Sequence, residues 1–333
     1  MDGILVSINC ITYNHEKYIS EAIDSFLMQR TNFNFEVLIH DDASTDRTSD
    51  IVREYQKKYP DIIKPIIQKE NQYSQGKRLL GYRYNFSRAM GKYIAVCEGD
   101  DYWTDPFKLQ KQVDYMENHH DCSMCFHAAE LVNVGRRRIG AVKPYNHDCV
   151  SSTEDIISGG GGFIATASIL YRKNVMDNPP DFFINAPVGD YALQILTSTQ
   201  DYAYYIDEFM SAYRIGVEGS WTTNNLLHKN NEEIVKRCNG QVYMLNSFNI
   251  YSNGKYSEAV EKKILRYEFQ LERIENNIKG IKSIKYKTIY NSLGIIQKIE
   301  IYLQCYLPRI YRKLSYIKRY IKKILISNIK LGA

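Results

Sequence analysis

The sequence predicts an α/β fold: a mixed, mostly parallel sheet flanked by helices, followed by a basic helical extension. Three observations predict it. Apolar strand-like runs alternate with amphipathic helical stretches through the first hundred residues. Three polar clusters, TYN (12–14), HDDAST (40–45) and EGDD (98–101), each follow such a run. In an open α/β sheet that position is the carboxyl edge, where ligands bind. Last, the chain turns Lys-, Asn- and Tyr-rich and helical from about residue 226.

The elements follow in order. ILVSINCI (4–11) is a strand. Ile19, Ala22, Ile23, Phe26 and Leu27 then recur at helical spacing. FEVLIH (35–40) is the second strand. Ser44 or Thr45 reads as the N-cap of a second helix, with Asp46 in its first turn, Ile51, Val52 and Tyr55 on its apolar face and Pro60 at its end. IIKPIIQ (62–68) is a short strand interrupted by Pro65. RYNFSRAM predicts a helix ending near Gly91, and KYIAVCEG a further strand. CSMCFHAAELV and GFIATASILYR read as strands, and GDYALQIL starts a helix at or near Asp190. Breaks fall near Gly280 and at Pro308. The expected domains are 1–225 (catalytic), 226–279 (helical) and 280–333 (basic amphipathic helices).

Composition excludes several classes. Hydrophobic residues are 44% and charged residues 24%, which suits a globular core rather than disorder. The seven cysteines are scattered, and a chain this long needs no staples, so reduced thiols in a cytoplasm are expected. Cys122 and Cys125 lack a second ligand pair at zinc spacing and read as a buried strand. Neither a signal peptide nor a membrane-spanning run of about 18 apolar residues is visible. From Lys279 to Lys330 there are thirteen basic residues against one acid, Glu300, on an otherwise acidic chain. Ile310, Leu314, Ile317, Ile321, Ile324 and Leu325 form one stripe there. That pattern predicts an interfacial helix on an anionic membrane surface; packing of the stripe on the domain is the alternative. Nucleic acid is not an expected partner, because no recognition module accompanies the charge.

Glu98, Asp100 and Asp101 crowd into four positions. Like charges this close need a positive partner, and hard cations such as Mn2+ or Mg2+ take carboxylate oxygens, water and phosphate. A solvated acidic turn is the alternative. The four glycines at 159–162 allow close backbone approach to a ligand, or simply a turn.

Four ordered stretches, VSINCITYNHEKYISEAIDSFLMQ, FEVLIHDDASTDRTSDIVREY, GKYIAVCEGDDYWTDPFKLQKQVDYM and PVGDYALQIL, together resemble the family 2 glycosyltransferases of the GT-A fold, over about residues 3–225. They look most like bacterial enzymes that build surface polysaccharides. The resemblance implies inverting transfer from a nucleotide-diphospho-sugar, most often a UDP-sugar, to a saccharide or lipid-linked saccharide, at the inner face of the cell membrane. It implies that Thr12, Tyr13, Asn14 and Asp42 contact the nucleoside, with Asp41 in support. Glu98, Gly99 and Asp100 take the DxD place, with Asp100 the main metal ligand and Glu98 a second. Arg83 stands near the diphosphate, Asp190 matches the general base, and Trp221 serves as a lid. The chain departs from the family at Gly216, where a metal-binding His is common; Glu218 or water would take that place. A nucleotide-sugar-binding protein without turnover is the alternative reading. Nucleotidyl transfer wants a Gly-rich basic phosphate loop after the first strand, and TYNHEKY is not one.

Overall fold

Six of ten strands point the same way. In the computed structural model, which describes residues 3–220, 222–223 and 231–327 (side chains to 317), these are β1 (Ile4–Thr12), β2 (Asn34–Asp41), β3 (Ile63–Ile67), β4 (Tyr93–Val96), β6 (Cys122–Asn133) and β10 (Tyr202–Ile215). Four short strands run against them: β5 (Tyr102–Trp103), β7 (Arg138–Val142), β8 (Cys149–Ser151) and β9 (Leu170–Arg172). The order is β3-β2-β1-β4-β9-β6-β10-β5, with β7 beside β6 and β8 beside β10. The parallel half β3-β2-β1-β4 is the one read from sequence alternation. Pro65 is tolerated in β3 because that strand lies at the sheet edge.

The helices of this unit are α1 (Ile19–Leu27), α2 (Thr48–Lys58), α3 (Lys108–Asn118), α4 (Thr153–Gly159), α5 (Asp181–Ile184) and α6 (Gly189–Gln200). In α1 the predicted face is the buried one: Ile19, Ala22, Ile23 and Phe26 are sealed against Val6, Ile8 and Cys10 of β1. Phe26 meets Trp103 edge-on, ring centroids 4.9 Å apart. Cys122 and Cys125 are free thiols buried in β6.

Three local expectations change. RYNFSRAM forms no regular helix: Gly81–Asn85 is a π-helical turn, and Phe86–Arg88 a 3-10 turn. Asn85 sits there because its amide donates to the Asn9 side chain and to the Cys10 and Leu38 carbonyls, tying the turn to β1 and β2. GFIATASILYR is strand only at Leu170–Arg172, after a 3-10 turn at Thr166–Ser168. The second helix begins at Thr48, with neither Ser44 nor Thr45 as its cap. Both hydroxyls are used across the loop instead: Ser44 donates to Asp41 and accepts from the Asn14 N–H, and Thr45 donates to Asn14.

The chain divides into two compact units, the first running to Ile184 and resuming over Val188–Val217. The second holds Asn185–Pro187 and the residues from Glu218 onward. Its helices are α7 (Asn231–Tyr251), α8 (Ser257–Ile274), α9 (Ile278–Ile281), α10 (Lys287–Ser292), α11 (Ile295–Tyr306) and α12 (Pro308–Ser327). Phe269, Ile281, Tyr286 and Ile301 form its small core. Among the described residues, no helix is long and apolar enough to cross a membrane.

Candidate active site

The three polar clusters meet at one edge of the sheet. Thr12 and Asp41 are register partners at the ends of β1 and β2, and the Asp42 N–H donates to the Thr12 carbonyl at 3.0 Å. Beyond β4 the chain stays bonded to β1: the Cys97 N–H donates to the Asn9 carbonyl at 3.2 Å, and the Gly99 N–H to that of Ile11 at 2.9 Å. Gly99 has to be glycine. A Cβ there would lie 2.6 Å from Thr12 Oγ1, 2.8 Å from Thr12 Cβ and 3.0 Å from Ile19 Cδ1. The Ile19 methyl can give way, but Thr12 Cβ is fixed to the β1 backbone and cannot. Gly99→Ala is therefore expected to destabilise by roughly 1–3 kcal/mol, the range for overpacking. Denaturant unfolding checks this, and an unchanged midpoint would refute the close contact.

The loops after β1 and β2 are stapled together. The Asn14 N–H donates to Ser44 Oγ at 2.9 Å, the His15 N–H to Thr48 Oγ1 at 2.8 Å and the Glu16 N–H to Asp46 Oδ2 at 3.0 Å. In return the Thr45 N–H donates to Asn14 Oδ1 at 2.8 Å, and the Arg47 N–H to Glu16 Oε2 at 3.1 Å. Asn14 and Ala43 take left-handed backbone conformations at φ 55° and 62°. For Ala43 this is a strained choice, of the kind that clusters at ligand sites. Asp41 accepts from the Ser44 N–H at 3.1 Å, and from the Ser44 and Ser49 hydroxyls. Asp42 accepts the backbone N–H groups of Gln72 at 2.7 Å and Tyr73 at 3.0 Å. Both carboxylates are buried and hold loop walls in place. Tyr13, between Thr12 and Asn14 in the chain, is 43% exposed.

Next to this edge lies the acidic cluster. One carboxylate oxygen each from Glu98, Asp100 and Asp101 fall within 4.8 Å of one another. Sequence alone points to a bound cation as their positive partner; part of the positive charge is instead Arg214, at the end of β10. That side chain is fully buried. Its guanidinium donates to the Asp100 carbonyl and to Glu21 Oε2, and its backbone N–H donates to Asp101 Oδ1 at 2.8 Å. Tyr18 and Tyr102 face the guanidinium at 4.7 and 4.9 Å. Arg136 holds the other oxygen of Glu21 at 2.8 Å. The carboxylates of Glu98 and Asp100 thus gain no direct bond from Arg214. Asp101 Oδ2 is buried without a partner.

The acids feel this. Desolvation first, then the neighbouring Asp100, pushes the Asp101 carboxyl well above the usual range, against the pull of the Arg214 N–H. Glu98 reaches solvent at this edge. The loss of bulk water around it, then the charges of Asp100 and Asp190, push it up. Asp190, ninety residues from Asp100 in sequence, is near enough for its charge to act on Glu98. It sits in the first turn of α6, where Oδ1 accepts the Tyr191 N–H at 2.6 Å, and burial raises its pKa too. The α6 N-cap itself is Val188, not Asp190. Gly161 packs on this turn: a Cβ there would stand 3.4 Å from that of Tyr191 and 3.8 Å from Asp190 Oδ1. The glycine run therefore brings backbone up to Asp190, whereas Gly160, at φ 76°, makes the turn.

The remaining expected residues lie elsewhere. Arg83 is exposed on the π-helical turn, its Nε donating to the Arg78 carbonyl at 2.8 Å; no contact joins it to the acids among the described residues. Trp221 lies outside the described residues. Gly216 has φ 93°, a conformation that disfavours any side chain, which gives glycine there a backbone reason. Two residues at the site were missed from sequence. Arg214 is one. His15 is the other, with Nε2 3.8 Å from Asp100 Oδ2. The available signal for Arg214 was phase: it follows Met210 and Ala212 on the inward face of β10, where a charge is out of place.

The donor set fits a hard divalent cation. It is all carboxylate, it holds an orphaned buried oxygen at Asp101, and Glu98 and Asp101 are raised in the way that a bound cation would reverse. Asp100 and Glu98 are the residues that would hold it, if a cation binds there.

Comparison with known proteins agrees with this architecture. The family model for glycosyl transferase family 2 matches residues 7–177. An uncharacterized protein of Mycobacterium tuberculosis is 36% identical over 220 residues, 65% of this chain and 60% of the relative. An uncharacterized glycosyltransferase of Nostoc is 30% identical over 175 residues, 52% of each. The chain thus spans less than two thirds of the length of these curated relatives. Among solved structures, S. aureus TarS 1-349 in complex with UDP-GlcNAc superposes with a TM-score of 0.59 at 15% identity, covering 91% of this chain and 79% of that one. At that identity the likeness speaks for the GT-A fold. With more than half of the chain matched by the family model, this protein belongs to glycosyl transferase family 2.

Proposed function

We propose that the protein is an inverting glycosyltransferase, moving a sugar from a UDP-sugar to a saccharide acceptor. The observation that supports the reading is the split of acids: Glu98 and Asp100 at the strand edge, and Asp190 in the first turn of α6, on a separate element, near enough for its charge to act on Glu98. An inverting displacement needs one carboxylate set under the leaving diphosphate and a separate base across the sugar. Asp190 takes the proton of the acceptor hydroxyl. Tyr13 stacks on the base, and Thr12 and Asn14 line the nucleoside beside it. Asp41 and Asp42 act through the loop walls that they hold, and Arg83 stands at the outer rim. Mn2+ or Mg2+, held by Asp100 with Glu98, would neutralise charge developing on the nucleoside diphosphate. The UDP preference draws on the fold relative solved with UDP-GlcNAc. The test is nucleoside diphosphate release by the purified chain, with Mn2+ and a panel of sugar nucleotides. UDP-sugars should turn over fastest. Release from no donor would refute transfer, and release from GDP-sugars alone would refute the UDP assignment.

A lipid-linked acceptor in surface polysaccharide synthesis is part of this reading, with the chain seated peripherally on the inner face of the membrane. Support comes from α11 and α12, where Ile295, Ile299, Tyr306, Ile310, Leu314 and Ile317 are all exposed beside exposed Arg309, Arg312 and Lys313. Each basic residue near an anionic surface adds about 1 kcal/mol. Replacing Arg309, Arg312 and Lys313 together by Glu should therefore release the chain from phosphatidylserine vesicles in a sedimentation assay. Undiminished sedimentation would show that α12 is not the anchor.

A further inference from the structure

His15 is held with one nitrogen facing the acidic cluster. Its backbone N–H donates to Thr48 Oγ1 at 2.8 Å, and that hydroxyl donates to Asp46. Asn14 before it is fixed at φ 55° and bonded to Ser44 and Thr45. Its ring Nδ1 is 3.2 Å from Thr12 Oγ1, and Thr12 is itself pressed against Gly99. The ring is thus positioned from both sides. What remains is Nε2, which among the described residues meets the Asp100 carboxylate at 3.8 Å.

That distance is the informative one. It is too long for a hydrogen bond, yet the ring is mostly buried; Asp46, on the side of the ring's own backbone, is the other acid its charge acts on. Octahedral ligands at about 2.1 Å from an ion lie about 3 Å apart when adjacent and about 4.2 Å apart when opposite. The observed 3.8 Å lies between these two spacings, so a sub-ångström shift of either side chain lets the nitrogen and the carboxylate oxygen share one ion. In the tautomer whose Nδ1–H donates to Thr12 Oγ1, Nε2 carries the lone pair, which is how a neighbouring hydrogen bond fixes a ligating tautomer. Imidazole nitrogen with carboxylate oxygen suits Mn2+ better than Mg2+, which prefers an all-oxygen shell.

We infer that His15 is a ligand of the divalent cation at the Glu98–Asp100 cluster, binding through Nε2. The inference rests on the metal-assisted reading proposed above. It puts one ligand on the loop after β1 and the others on the loop after β4, so that the cation would bridge the two strand ends.

Pulsed electron paramagnetic resonance on full-length protein with Mn2+ and UDP tests it without relying on turnover. A directly coordinated 14N coupling is expected in the wild type. His15→Ala should lose that coupling and bind Mn2+ at least about tenfold more weakly, the lower end of what even outer-shell partners cost. Bound Mn2+ with no nitrogen coupling in the wild type overturns His15 ligation and leaves the cation site standing, as does a coupling that survives His15→Ala. No Mn2+ bound at all overturns both readings. The wild-type spectrum is decisive even if the variant folds poorly.

Discussion

Asp190→Asn is expected to lower kcat by about 100- to 10,000-fold, the usual contribution of a positioned general base, while UDP still binds. The substitution is chosen for what it preserves. The Asn oxygen still accepts the Tyr191 N–H in the first turn of α6, so the local geometry holds. Replacing an acid near a helix N-terminus costs about 0.3–1 kcal/mol. Removing its repulsion of Glu98 offsets part of that. Stability should therefore change little, and a collapse in activity is not attributable to unfolding. Calorimetric titration with UDP and Mn2+ separates the roles further. A base acts on the acceptor, so affinity for the nucleotide should stay within a few-fold. Full turnover in this variant would sink the base assignment. A loss of nucleotide binding as large as the loss of kcat would move Asp190 to the donor side.

Much of this site was legible before any coordinates. Strand-end position is a local property, and TYN, HDDAST and EGDD each follow an apolar run, so their convergence on one edge follows from the α/β pattern alone. Asp190 was singled out by a motif alone. The roles inside the clusters were less legible. Asp41 and Asp42 looked free to bind ligand, but their partners are loop donors up to thirty-one residues away in sequence. The Ser44 and Thr45 hydroxyls looked like helix caps, and a left-handed Asn14 diverts them to a neighbouring loop. The strand β10 was not anticipated, because YAYYIDEFMSAYRI alternates imperfectly and carries register shifts against β6. Missing β10 meant missing Arg214. The acidic cluster posed a charge problem, and local sequence offered a cation as the answer. A buried guanidinium 113 residues further on is a tertiary answer that no spacing rule reveals.

Arg214→Met is the stability counterpart, with an expected cost of about 3–5 kcal/mol, the range for removing one partner of a buried ion pair. Three interactions go at once: the bonds to Glu21 and to the Asp100 carbonyl, and the stacking between Tyr18 and Tyr102. The lower part of the range is favoured, because Arg136 still compensates Glu21 from the surface. The bond from the 214 backbone N–H to Asp101 survives any substitution except proline, so the variant isolates the guanidinium. Arg214→Lys should recover little, since a point-charge ammonium cannot span Glu21 and the Asp100 carbonyl as a planar fork does. Denaturant unfolding measures the cost. A double-mutant cycle with Glu21→Gln should give a coupling of about 0.5–3 kcal/mol, as for residues in one ionic network. The functional consequence follows from geometry. Arg214 holds the Asp100 main chain rather than its carboxylate, so its loss loosens the acid loop without removing an acid. Donor KM should rise with the Mn2+ requirement, and kcat should fall less than in Asp190→Asn. An Arg214→Met variant as stable as the wild type would mean that the cluster is balanced without this guanidinium, and the whole of the missing positive charge would then fall to the cation.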